Sequence, residues 1–234
     1  MNPNLQYAQF IKGVNNGRGA GLIDVRGFAD VVNSTGLLKG SKSWTNEEDS
    51  QLKIWVKSYL KWMLESKNGK SEQKAKNNHG IWYDQQIIAF LLYLNDTATA
   101  KQYLNTTLNR ITQQIEPDGK MPAELARTAA LSYNTFCLEA WFRTASFADN
   151  AGVDIWHYTT ADGRSIRKAL DWLLPYAMGE KKWEYKQIHN YTKSNLYYLL
   201  LQAASHYNNP AYSDAAQKIK KEAANPLEEL YYGE

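Results

Sequence analysis

Apolar residues recur at helical spacing along most of this chain, in blocks separated by polar breaks. The clearest block follows Trp44. Leu52, Trp55, Val56, Tyr59, Leu60 and Met63 fall three and four apart, the stripe of an amphipathic helix. Just ahead of it, Thr45-Asn46-Glu47-Glu48 matches a capping box, with Thr45 as N-cap and Glu48 at the third helical position. The polar run SKNGKSEQKAKNN (66–78) predicts a break. A second helix is predicted over about 81–95. A third follows Asn95-Asp96-Thr97, with Tyr103, Leu104, Leu108, Ile111 and Ile115 on one face. Past the turn cluster EPDGKMP (116–122), a fourth is predicted over about 123–145. Others cover about 165–178, 192–207 and 211–223. The first forty or so residues are rich in Gly and Asn and predict loops with at most short helical turns. Short alternating pieces near 154–158 and 183–188 are the only strand candidates. The chain therefore reads as all-α, with about seven helices in antiparallel succession and no strong internal repeat.

Length and composition narrow the classes. A chain of 234 residues suits one large domain or two small ones and can bury a core. With 44% apolar and 22% charged residues it is globular in type. A net charge of +3 gives no case for nucleic acid, although a local basic cleft for an acidic polymer stays open. The single Cys137 excludes an internal disulfide framework, and four scattered His residues with no HxH or HxxxH pair argue against a metal centre. IIAFLL (87–92) is too short to span a bilayer, and no basic segment followed by an apolar one opens the chain, so no signal peptide is read. Sixteen Tyr and eight Trp serve either helix packing or a carbohydrate groove, since both have an apolar face and a polar tip.

Three stretches carry candidate chemistry. In KNNHGIWYD (76–84), Gly80 permits close backbone approach, Asn77 and Asn78 offer amides, and His79 is the one side chain here able to switch protonation near neutral pH. The same residues also suit a capped helix start. In MPAELARTAALSYNTF (121–136), Glu124 and Arg127 are three apart and Tyr133 lies six further on. An Arg there can bind a carboxylate, and a guanidinium beside a phenol favours the phenolate. A surface ion pair and a core Tyr explain the spacing equally well. In NNGRGAG (15–21), Arg18 sits among glycines without a phosphate-loop signature and is a candidate for a sugar carboxylate. No GxSxG appears. Asp24, Asp84, Glu124 and Glu139 keep a two-carboxylate glycoside hydrolase open.

The segments MNPNLQYAQFIKGVNNGRGAGLIDVRG, WTNEEDSQLKIWVKSYLKWMLES, NNHGIWYDQQIIAFLLYL and PAELARTAALSYNTF together cover most of residues 1–140. In this order they resemble the alginate lyase family of polysaccharide lyases. The NNHG-WYD form looks closer to polysaccharide lyase family 38 than to family 5. The resemblance implies an (α/α) toroid or incomplete barrel of antiparallel helical hairpins, spanning residues 1–234 as a single domain that lacks the N-terminal helices of the full family domain. It implies β-elimination on alginate or a related polyuronate without metal or other cofactor, in a periplasmic or secreted setting. Asn78, His79, Arg127 and Tyr133 match the family's catalytic quartet, with Tyr133 as acid and Tyr133 or His79 as base. Arg18, Gln6, Tyr7, Trp82 and Tyr83 are the substrate-binding candidates. Two other functions remain, a non-catalytic fragment that binds acidic polysaccharide and the two-carboxylate hydrolase.

Overall fold

The computed structural model describes residues 2–223. Among them the protein is all-α, as expected of an (α/α) toroid, with isolated bridges at Ile11–Asn15 and Ala129–Gln187 as the only β pairing. The helices are α1 (Phe28–Ser34), α2 (Asn46–Glu65), α3 (Lys67–Gln73), α4 (Asn78–Tyr93), α5 (Thr97–Thr107), α6 (Asn109–Gln114), α7 (Pro122–Leu125), α8 (Ala130–Asp149), α9 (Ile166–Ala177), α10 (Ser194–Tyr207) and α11 (Pro210–Ala223). A 3-10 turn over Gly19–Val25 precedes α1, and another over Thr35–Leu38 follows it.

The chain divides into two compact units. The first holds the residues up to Thr107 together with Ser146–Val153, and the second holds Leu108–Ala145 and Asp154 onward. In the first unit, Val56, Tyr59, Leu60 and Met63 of α2 pack with Tyr83, Ile87, Phe90 and Leu91 of α4. Phe28, Trp55, Tyr59 and Phe90 meet there edge-on or stacked. The α2 cap forms as read: Thr45 Oγ1 accepts the Glu48 N–H, and Glu48 Oε2 accepts the Thr45 N–H. In the second unit, Trp141, Leu138, Leu170, Leu173, Leu196 and Leu200 are fully buried. Asn208, in the left-handed region at φ 47°, ends α10 so that the chain returns as α11.

Three expectations are corrected. The polar run after Glu65 ends α2 as expected but also holds a helix, because Ser66 accepts the Gly69 N–H and starts α3, whose Gly69 and Glu72 are buried. The third helix divides into α5 and α6. The Thr106 and Thr107 hydroxyls donate to Tyr103 O near the end of α5, a local competition that weakens helix propagation. The fourth helix divides as well. Pro122 opens the single turn α7, and the backbone of 128–130 then pairs elsewhere: Ala130 N–H donates to Lys186 O, and Ile188 N–H to Thr128 O. The side chain of Gln187 accepts the Leu131 N–H, so α8 is capped by a residue 56 positions away. Of the two strand candidates, 183–188 supplies that bridge and 154–158 forms no strand.

Candidate active site

The first unit places Asn78 and His79 in the opening turn of α4. Asn77 is the N-cap, its side chain accepting the His79 N–H at 3.2 Å. Asn78 is fully buried, and the His79 side chain is 19% exposed. The capped-helix reading of KNNHG therefore holds, and it leaves the imidazole at the surface of a helix N-terminus, where anions are favoured. His79 Nδ1 lies 2.6 Å from Oε1 of Glu72, a buried carboxylate on α3. A carboxylate oxygen accepts, so Nδ1–H is the donor of this contact and Nε2 is the ring nitrogen outside it. Glu72 was not among the residues expected at the site. It lies in a run without an apolar stripe, and Ser66 as an N-cap was the one signal that a helix starts there.

Beside α3, a cavity of about 590 Å³ is lined by Gln6, Arg18, Trp62, Lys67, Asn68 and Ser71, among others. Two of the expected binding residues, Arg18 and Gln6, thus share one cleft. Arg18 Nε donates to Gln9 Oε1 at 2.8 Å, which leaves its terminal nitrogens beyond that bond. The glycines around it serve packing. A Cβ on Gly17 would meet Gln6 O at 2.0 Å, and one on Gly19 would meet Asn68 O at 2.5 Å. Tyr7 is 69% exposed. Trp82 and Tyr83, the other two binding candidates, are 2% and 1% exposed and pack in the interior. Arg26 lies 5.2 Å from the Trp82 ring centroid, and the Tyr83 hydroxyl donates to Met63 O, tying α4 to α2.

The second unit places Arg127 and Tyr133 together. Arg127 is not on a helix. It sits in the link after α7, where its N–H donates to Glu124 O, and its guanidinium carbon lies 3.7 Å from the Tyr133 ring centroid. Both side chains are half-buried. The guanidinium thus engages the ring face, while its N–H donors lie in its own plane. Gln187 braces this segment through Leu131 N–H and Ser132 Oγ. Nearby on α8, Thr135 Oγ1 and the Tyr191 hydroxyl are 2.9 Å apart, and burial pushes the Tyr191 phenol up to about 12.

The four carboxylates of the hydrolase reading have other engagements. Asp24 accepts from Gln9, and the buried Asp84 accepts from Tyr103. Glu124 is 1% exposed, and Glu139 binds Arg143 and Asn195. Among the described residues, no three His, Cys, Asp or Glu side chains gather to hold a metal ion, and no helix is long and apolar enough to cross a membrane.

The family model for alginate lyases matches residues 1–183. No curated protein matches the chain. Among solved structures, an alginate lyase from Bacteroides ovatus superposes with a TM-score of 0.91 at 36% identity, covering 99% of this chain. The chain spans 63% of the length of that lyase. A family match over most of the sequence, together with a shared fold at that identity, shows that this chain belongs to the alginate lyase family.

Proposed function

We propose that the protein is a polysaccharide lyase that cleaves alginate or a related polyuronate, such as mannuronan or glucuronan, by metal-independent β-elimination. The observation that carries this reading is the Arg127 guanidinium against the Tyr133 ring, on residues that match the family's quartet.

The chemistry follows from the side chains. The C5 hydrogen of a uronate is weakly acidic beside its ionised carboxylate, and removing it builds negative charge on that group. Donors already aimed at the carboxylate lower this barrier most, because they need no reorganisation. By their match to the family's quartet, His79 and the in-plane N–H groups of Arg127 take this role, and Asn78, which is fully buried, is assigned to it by that match alone. A base then takes H5, and an acid protonates O4 as the C4–O4 bond breaks. Tyr133 is the acid. It is also the base where H5 and O4 lie on one face of the ring, and the cation on its ring supports the negative charge that develops as it gives up a proton. His79 is the base where the two lie on opposite faces, since its Nδ1–H is committed to Glu72 and Nε2 holds the lone pair. The products are a new reducing end and a 4,5-unsaturated uronosyl end. Arg18 and Lys67, with the Trp62 ring, suit the cleft beside α3 to neighbouring uronate units. A substrate of this size fits a periplasmic or secreted enzyme.

The test is ultraviolet absorbance of the unsaturated uronate, followed on a panel of polyuronates. Wild-type protein is expected to produce it, and Tyr133→Phe to abolish it with the fold intact. A folded protein that gives no signal on any polyuronate overturns the reading. Binding without turnover on the same samples would identify a non-catalytic polysaccharide-binding protein, and cleavage without the chromophore would identify a hydrolase.

A further inference from the structure

The first unit holds a second cavity, of about 600 Å³, that the proposed chemistry does not use. This is within the range of about 300–1,000 Å³ typical of small-molecule sites. It lies at the other end of α4. Ala89, Leu92 and Tyr93 line it, whereas Asn78 and His79 open that helix. At about 1.5 Å per residue, Tyr93 is roughly 20 Å along the axis from His79.

Its lining includes a hydrogen-bonded network around Asp49. Lys53 Nζ lies 2.7 Å from Asp49 Oδ2, the Tyr93 hydroxyl donates to Asp49 Oδ1 at 2.9 Å, and Trp44 also bonds that carboxylate. Lys53 further lies 5.7 Å from the Tyr93 ring centroid. The Asp49 charge is thus consumed by Lys53, which holds the carboxyl below its usual range. The Trp44 ring, in contact with that network, is half-buried at the cavity wall. Lys39, on the exposed rim, adds a positive charge that the network does not balance. Asn33, Asn46, Asn95 and Asn150 add four amides.

A partly exposed indole suits the flat apolar face of a pyranose ring. Amides that both donate and accept suit its hydroxyls. The unbalanced Lys39 suits a carboxylate. We infer that this cavity is a non-catalytic binding site for a short acidic saccharide. The ligand class comes from the lining. It coincides with the substrate class proposed above but does not depend on the elimination chemistry. Such a site would hold a polymer or a released oligouronate away from the reacting residues.

The experiment uses the full chain carrying Tyr133→Phe, titrated calorimetrically with a uronate trisaccharide and with a neutral trisaccharide of the same linkage. Two binding events are expected for the uronate, and none at this cavity for the neutral sugar. Lys39→Ala and Trp44→Ala should each weaken one event at least tenfold and leave the other in place. Because Lys39 is exposed, its replacement keeps the test valid if Trp44→Ala fails to fold. A single event insensitive to both changes overturns the inference, as does equal binding of the neutral sugar. A Lys39-dependent event in a chain whose wild type cleaves no polyuronate would support this site while rejecting the lyase reading.

Discussion

Removing the carboxylate that holds His79 offers the sharpest test of the geometry. Glu72 Oε1 is 2.6 Å from His79 Nδ1, and the Glu72 side chain is 5% exposed, so little water competes for the contact. Hydrogen bonds to charged groups contribute about 1.5–3 kcal/mol, and neutral ones about 0.5–1.5. Glu72→Ala forfeits the whole contact, and at 1.36 kcal/mol per factor of ten the rate should fall about tenfold to a hundredfold. Glu72→Gln keeps an acceptor but not its charge, so a loss of about 1 kcal/mol, or about fivefold, is expected. The effect should appear in kcat more than in KM, because the ring's orientation matters most as the proton moves. Glu72 acts here as a positioning residue. Imidazole nitrogen NMR supplies a readout that a purely structural role would not move. The wild type should show His79 protonated at Nδ1, and Glu72→Gln a mixture of tautomers. Initial rates of chromophore formation, with thermal unfolding as a control for folding, complete the assay. If Glu72→Ala is folded and turns over polyuronate at the wild-type rate, the carboxylate does not organise His79 for catalysis.

Other expectations follow from packing and burial. A Cβ on Gly69 would lie 1.7 Å from Met63 O. Gly69→Ala should therefore force α3 off α2 at a cost of about 3 kcal/mol, the upper range for overpacking, measured by chemical denaturation. An unchanged midpoint would refute that packing. Burial, with Glu124 adding to it, pushes the Cys137 thiol well above its ordinary range. Cys137 should resist alkylation in the folded protein and react fully in denaturant, and rapid native labelling would contradict its burial. Glu48 is held below the usual carboxylate range chiefly by the Thr45 backbone N–H, and then by the Thr45 hydroxyl. A carboxyl lowered by folding stabilises the fold above its unfolded pKa, and that stabilisation is lost as pH falls through the folded value. Glu48→Gln should thus unfold at lower temperature than wild type at neutral pH, with the gap closing in acid. A gap that persists in acid would refute the capping account.

Much of this protein was legible before any coordinates. The α2 stripe and its capping box were readable because both are local: helical periodicity puts Val56, Tyr59, Leu60 and Met63 on one face, and a cap spans three residues. The resemblance carried by NNHGIWYD and PAELARTAALSYNTF led to the same family that the comparisons show. What the pattern could not supply depends on partners remote in sequence. Polarity hid α3, because its buried face is only Gly69 and Glu72, and no hydrophobic count registers a glycine and a carboxylate. Trp82 and Tyr83 looked like groove residues because an aromatic with a polar tip reads the same in a core as in a cleft. Only the Arg26 and Met63 contacts decided for the core. Arg127 and Tyr133 seemed to share one helix. They meet instead across a link whose backbone is drawn off by residues 186–188, and the cation reaches the ring face because that helix stops. Local periodicity is written in neighbouring residues, so the sequence states it directly. Which carboxylate fixes an imidazole and which strand of backbone ends a helix are set by packing between distant segments, and only the tertiary structure decides them.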